Sequence, residues 1–227
     1  MTVENNGLTD LAVLCNQREA LYVFLASSYE HELTEEQIVE LSQRDLPQED
    51  SLVGKGYSLI HAYLAKNRRF ARTELAVDYA RLFLGAGVYE GRSAAPYESV
   101  YTSEERLLMQ DARDEVVAVY REWGLDVPAG TTVPEDHLSF ELSFMSALCQ
   151  QASHEFEKGA LSSCVDILAC QKSFLEQHML RWVPDLCKDI RELGQTDYYH
   201  GIADITEGFL RLEQDVVGDL LDVCSEG

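Results

Sequence analysis

Apolar residues recur along this chain at intervals of three and four, the spacing of one face of an α-helix. Leu14, Arg18, Leu21, Tyr22 and Leu25 form the stripe of a first helix. Thr34 to Gln37, "TEEQ", has the form of a capping box, in which the Thr34 hydroxyl and the Gln37 amide satisfy free N–H groups at a helix start. A third helix is expected near Ser51–Lys66, its first turn weakened by Gly54 and Gly56. In the fourth, Leu75, Tyr79, Leu82 and Phe83 share one face, with Thr73 placed to cap the start and Gly85 to close the end.

The pattern then breaks over "GAGVYEGRSAAPYESVY", from Gly85 to Tyr101, and loops of this length are often functional. "TSEE" at Thr102–Glu105 offers a second capping box, and Gly124 stops that helix after Trp123. Pro134 suits the first turn of the next helix, and Glu135 and Asp136 favour its positive end. A long helix is expected around Ala160–Val183, striped by Leu161, Val165, Leu168, Leu175, Met179 and Trp182, with Pro184 ending or bending it. Gly194 separates a final helix, Thr196 to about Asp222, carrying Ile202, Ile205, Phe209, Leu212, Val216 and Leu220. No paired strands with hairpin turns, repeats or low-complexity segments interrupt the series. The expectation is an all-α fold, a single compact multi-helix domain over residues 1–227 with a long functional loop around 85–101.

Composition changes the picture in one respect. The chain of 227 residues is 46% hydrophobic and 26% charged, as an ordinary globular protein is, but 40 acids against 18 Lys and Arg leave a net charge of −22. That field repels nucleic acid and anionic membrane, and it attracts basic partners. The N-terminal "MTVENNGLTD" has neither the basic start nor the apolar run of an export signal, and no apolar stretch approaches the ~20 residues that cross a membrane. Six scattered cysteines without a CxxC pair read as reduced core residues of a cytoplasmic protein.

Candidate chemistry concentrates in "VPEDHLSFELSFM", Val133–Met145. His137 and Glu141 stand one helical turn apart and could ligate a cation, yet no HExxH spacing accompanies them, and His154, His178 and His200 lie on separate segments. His137 is expected instead to hydrogen-bond Glu141 or a nearby carbonyl. Glu141, beside Leu138, Leu142 and Met145, falls on a face that should be buried, where a carboxylate needs a partner. "GAGVYEG" at Gly85–Gly91 follows a helix with the wrong spacing for a phosphate loop, and GxSxG is absent. A metal-dependent hydrolase centred on Asp136, His137 and Glu141, and an acidic helical adaptor for some basic partner, both remain open at this point.

Four segments taken together, "YARLFLG" (79–85), "PYESVY" (96–101), "PEDHLSFELSFM" (134–145) and "FLEQHMLRWVPDLC" (174–187), resemble the TorD/DmsD family of redox-enzyme maturation chaperones, in order and spacing, over about residues 10–220. The resemblance implies an all-helical, non-enzymatic protein of the cytoplasm. Its partners would be the twin-arginine signal peptide and catalytic subunit of a molybdopterin oxidoreductase of the DMSO reductase type, held back from export until the cofactor is inserted. It implies that Tyr79, Leu82 and Phe83 line part of the peptide-binding region, with Pro96, Tyr97, Glu98 and Ser99 on the adjacent loop. Asp136 and His137 would form its polar part, supported by Glu141, with Pro134 also among the client-binding residues. No cofactor is implied beyond weak GTP binding, and the family includes monomers and domain-swapped dimers. Asp136 and Glu98 are the candidates for bidentate contact with a client arginine.

Overall fold

The periodic stripes fold as helices in the computed structural model, which describes residues 2–44, 49–66, 70–86, 93–127 and 130–226. The elements are α1 (Thr2–Glu30), α2 (Glu35–Gln43), α3 (Leu52–Lys66), α4 (Ala71–Phe83), α5 (Glu98–Thr102) and α6 (Asp111–Glu122). There follow α7 (Leu138–Lys158), α8 (Leu161–Phe174), a π-helical turn (Leu175–Met179), α9 (Leu180–Leu193) and α10 (Asp197–Glu226). Among the described residues there is no strand, only an isolated bridge between Tyr97 and His137. The all-α expectation therefore holds. Residues 87–92 of the expected loop lie outside the described residues.

Where the signals are local, the helix ends follow them. At α2 the Gln37 N–H donates to the Thr34 hydroxyl at 3.2 Å, and the Thr34 N–H donates to the Gln37 side chain at 2.9 Å. Past α4, Gly85 takes a left-handed φ of 69°, and past α6 Gly124 takes 66°, a conformation glycine adopts without strain. Three expectations are corrected. Thr73 does not cap α4, because the helix already begins at Ala71 behind Phe70. "TSEE" starts no helix: Thr102 ends α5, and α6 begins only at Asp111. Pro184 neither ends nor visibly interrupts the long helix, and α9 runs through it. Burial of Trp182, Val183, Leu186, Cys187 and Ile190, each worth about 1.5–3 kcal/mol when large and apolar, outweighs the ~3 kcal/mol cost of an internal proline.

One continuous core joins these elements, with α1 lying along α7, α3 along α10, and α8 and α9 packed against α10. The glycines that weaken the start of α3 on paper have a packing purpose. A Cβ on Gly56 would sit 2.5 Å from the Gly201 carbonyl oxygen, and one on Gly201 would sit 2.5 Å from that of Gly56, so the two backbones touch. The stripe of α10 is also rotated from its expected course. Leu212 is 51% exposed while Glu213 and Val217 face the core, because Glu213 meets Arg18 of α1 there. Five of the six cysteines are buried and Cys170 is partly so, all as free thiols; burial pushes Cys149 and Cys187 up to about 12.

Candidate functional site

Pro96 lies in a tight turn closed by the Tyr97 N–H on the Ala95 carbonyl at 2.9 Å, and Tyr97 and His137 each have extended backbone at the start of a helix. These two residues form the bridge: the Glu98 N–H donates to the Asp136 carbonyl at 3.0 Å, and the Leu138 N–H donates to the Pro96 carbonyl at 2.8 Å. Helices α5 and α7 thus leave from one point, with the Tyr97 and His137 rings edge to face at 4.9 Å.

The expected helix start is displaced by this arrangement. Pro134, Glu135 and Asp136 make a turn ahead of α7, closed by the His137 N–H on the Pro134 carbonyl at 3.1 Å, and His137 is the N-cap. The Ser139 N–H donates to His137 Nδ1 at 3.1 Å, with the Ser139 hydroxyl at 2.8 Å. That acceptor role requires a neutral imidazole, and burial lowers its pKa to about 4. His137 therefore bonds Ser139, and not Glu141 or a carbonyl as expected. Asp136 caps the other helix: its Oδ2 accepts from the Ser99 N–H at 2.9 Å. Glu135 receives a two-pronged contact from Arg113, both distances 2.7 Å, which ties α6 to the turn and lowers the acid's pKa.

Beneath the bridge lies a buried acidic layer. Glu98, Asp136 and Glu141 are each 0% exposed. The Glu98 carboxylate meets His178 Nδ1 at 3.0 Å, so this histidine does not stand alone. The π turn that carries it inserts an extra residue into the helix at this point, as such turns often do near functional sites. Trp182 Nε1 donates to Glu141 at 3.3 Å, while Glu141 Oε1 and Asp136 Oδ1 have no hydrogen-bond partner. Burial, followed by the charges of Glu98 and Asp136, holds the Glu141 carboxyl well above its usual range and favours the protonated acid. Phe174 packs on His178 at 4.8 Å, and both border a cavity of about 240 Å³ with Val119, Trp123 and Cys170. Among the described residues no three His, Cys, Asp or Glu side chains converge on a point that could hold a metal.

Tyr79, Leu82 and Phe83 form a second group on α4. All three are buried, with Phe83 in contact with the rings of Tyr29, Tyr79 and Tyr199. The Tyr79 hydroxyl donates to the Tyr29 carbonyl at 3.0 Å; burial, then Glu32, Tyr97 and Glu30, push it up to about 12. Their neighbour Asp78, which the hydrophobic pattern passes over, accepts from the N–H groups of Gln195 and Thr196 and fixes the turn into α10. Asp136, Glu98 and Ser99 are likewise enclosed, so neither carboxylate meets solvent in this conformation. Tyr97 and Pro134 are the partly exposed members of the set.

One exposed feature has no counterpart among the sequence expectations. Between α5 and α6 the chain makes a knuckle in which Arg106 and Met109 adopt left-handed φ values of 54° and 61°. For residues other than glycine each costs about 1–2 kcal/mol. The Leu107 N–H donates to the Ser103 hydroxyl at 3.3 Å, and the Gln110 N–H donates to the Ser99 hydroxyl at 3.2 Å. Leu107, Leu108 and Met109 are left pointing outward, with 50%, 44% and 56% exposure. A three-residue apolar run in a stretch expected to be a capped helix was the available signal.

Comparison with known proteins bears on this arrangement as a whole. Residues 46–188 match the nitrate reductase delta subunit family. A protein of Vibrio cholerae serotype O1 named chaperone protein TorD is 28% identical over 221 residues, which cover 94% of this chain and 97% of the relative. Proteins of the same name from Vibrio atlanticus and Vibrio parahaemolyticus are 28% and 26% identical, covering 91% and 87% of this chain and 97% and 93% of theirs. With more than half of its length matched, the chain belongs to the nitrate reductase delta subunit family, in the group of the non-enzymatic TorD-like chaperones.

Proposed function

We propose that this protein is a cytoplasmic, system-specific chaperone. It binds the twin-arginine signal peptide and the catalytic subunit of a molybdopterin oxidoreductase, and it supports cofactor insertion before export. The observation that carries this is the likeness, across nearly the whole of both chains, to proteins named as TorD chaperones. The physical character of the molecule agrees with such a client. A net charge of −22 attracts a basic peptide over distance, and an all-helical scaffold offers apolar surface between and beside its helices for the segment that follows the arginines. None of the described helices is long and apolar enough to cross a membrane. His137 Nδ1 is engaged by Ser139, which leaves the Asp136, His137 and Glu141 set poorly arranged for a metal-dependent hydrolase.

The test is affinity capture from an extract of the protein's own host. Recovery of a molybdopterin oxidoreductase catalytic subunit, lost when its signal peptide is deleted, is the expected result. Recovery of an unrelated basic protein alone would make this chain an acidic adaptor instead.

A further inference from the structure

The exposed large hydrophobic side chains of the described residues stand singly in sequence, as on most protein surfaces, except at Leu107, Leu108 and Met109. The knuckle that presents them is held in shape by two left-handed residues and by hydrogen bonds to Ser99 and Ser103. Around it the exposed acids Glu104, Glu105, Asp111 and Asp114 set a negative field. Arg113 is paired with Glu135 and Asp114, and the exposed Arg106, over the Tyr101 ring at 5.6 Å, keeps its charge, so Glu104, Glu105 and Asp111 outnumber it and leave the rim net negative. An apolar tip inside an acidic rim matches a peptide that joins basic residues to an apolar segment.

The same hydrogen bonds connect this tip to the buried layer. Asp136 Oδ2 accepts the Ser99 N–H at 2.9 Å, and the Ser99 hydroxyl accepts the Gln110 N–H at 3.2 Å, so the knuckle hangs from Asp136 through Ser99. Asp136 itself is fully enclosed.

We propose that Leu107–Met109 is the docking surface for the apolar segment of the client signal peptide, with the peptide's arginines on the flanking acids, and that Asp136 is a positioning residue acting through Ser99. This rests on the chaperone function proposed above and names the surface that performs it. Asp136 orients the surface and does not touch the client.

A synthetic peptide carrying two adjacent arginines ahead of a leucine- and alanine-rich segment is the probe, titrated into the full chain at low salt. Replacing Leu107, Leu108 and Met109 together by Ser should weaken binding by about tenfold or more, from the apolar area no longer buried, with an unchanged melting temperature. Ser99→Ala, which removes the anchor of Gln110, should also weaken it. Asp136→Asn keeps an acceptor oxygen for the Ser99 N–H and should bind like the parent, whereas Asp136→Ala should not. Should Asp136→Ala fail to fold, Asp136→Asn against the parent decides the point alone, since a direct contact with arginine predicts a large loss there. If the triple Ser variant binds as the parent does, the surface is wrong while the chaperone function stands. If the parent itself does not bind the peptide, the docking surface is overturned, and the capture experiment alone then decides the chaperone function.

Discussion

Arg18 and Glu213, on helices at opposite ends of the sequence, form a buried two-pronged ion pair, with Arg18 Nε and Nη2 each 2.8 Å from a carboxylate oxygen. Gln171 accepts from the same guanidinium at 3.0 Å, and the Tyr22 hydroxyl donates to Glu213 at 2.8 Å. Nε and Nη2 of the guanidinium thus have strong acceptors, while Nη1 has only the Cys15 sulfur at 3.9 Å, so the buried charge depends on Glu213 and Gln171.

Removing one partner strands the other. Glu213→Gln or Arg18→Met should each cost about 3–5 kcal/mol of stability, read by chemical denaturation. The double replacement Arg18→Met with Glu213→Leu should recover much of that loss. A double variant as unstable as the sum of the singles would show that the network acts through Gln171 and Tyr22 rather than through the pair.

Glu141 is predicted to be a source of instability at neutral and higher pH. Its folded pKa is raised by burial and by Glu98 and Asp136, so the folded chain holds a proton that the unfolded chain releases above about 4.5. Its contribution therefore falls as pH rises through that window. Glu141→Gln keeps an acceptor for Trp182 and should raise the melting temperature near neutral pH, with the gain vanishing toward pH 4. Equal melting curves at pH 5 and pH 8 for variant and parent would contradict this.

His137 works in the opposite direction. Burial depresses its pKa from 6.5 to about 4, so the unfolded chain takes up a proton in that interval while the folded chain does not. Its share of stability is complete above about pH 6.5 and is lost as pH falls toward 4. Replacing His137 by Asn, a good N-cap, should flatten this acid limb in a denaturation series.

The α3–α10 contact gives a pair of contrasting glycine substitutions. Gly56→Ala or Gly201→Ala forces a Cβ against a backbone oxygen and should destabilise by about 1–3 kcal/mol. Gly218→Ala, also in α10, meets nothing within 4 Å and should stabilise by about 0.5–1 kcal/mol. Melting temperatures of the three variants test the contact directly.

Binding of a basic client peptide should weaken with added salt, because exposed charges are screened beyond about 8 Å at physiological ionic strength. The apolar part of the affinity should persist. Titrations that give the same affinity at low and high salt would reduce the −22 charge to a solubility feature.

These cases mark what the sequence makes legible. Thr34 with Gln37, Gly85 and Gly124 act on their own neighbours, so their effect on helix ends is visible a few residues away. Arg18 within an apolar stripe was a sign of a buried acid elsewhere, but nothing local identifies Glu213. The site is less legible for the same reason. "PEDHLSFEL" supplies Asp136, His137 and Glu141 to the buried cluster, yet the geometry there comes from pairings of Asp136 with Ser99, 37 positions apart, and of Glu98 with His178, 80 apart. The "TSEE" expectation failed because Thr102 is the last residue of α5 and its hydroxyl donates back to the Glu98 carbonyl at 2.9 Å, while the knuckle follows in place of a first helical turn.

The reach of α10 also bears on how the chain is made. Arg18 and Tyr29 of α1 find Glu213 and Thr206 there, and Gly56 of α3 finds Gly201. During synthesis the first two hundred residues would leave the ribosome with these surfaces uncovered, since their partners are translated afterwards. Closure of the core must then wait for α10, and until residues 201–213 emerge the growing chain exposes apolar helix faces of its own. A protein of a chaperone family thus passes through an interval in which it is itself prone to aggregate.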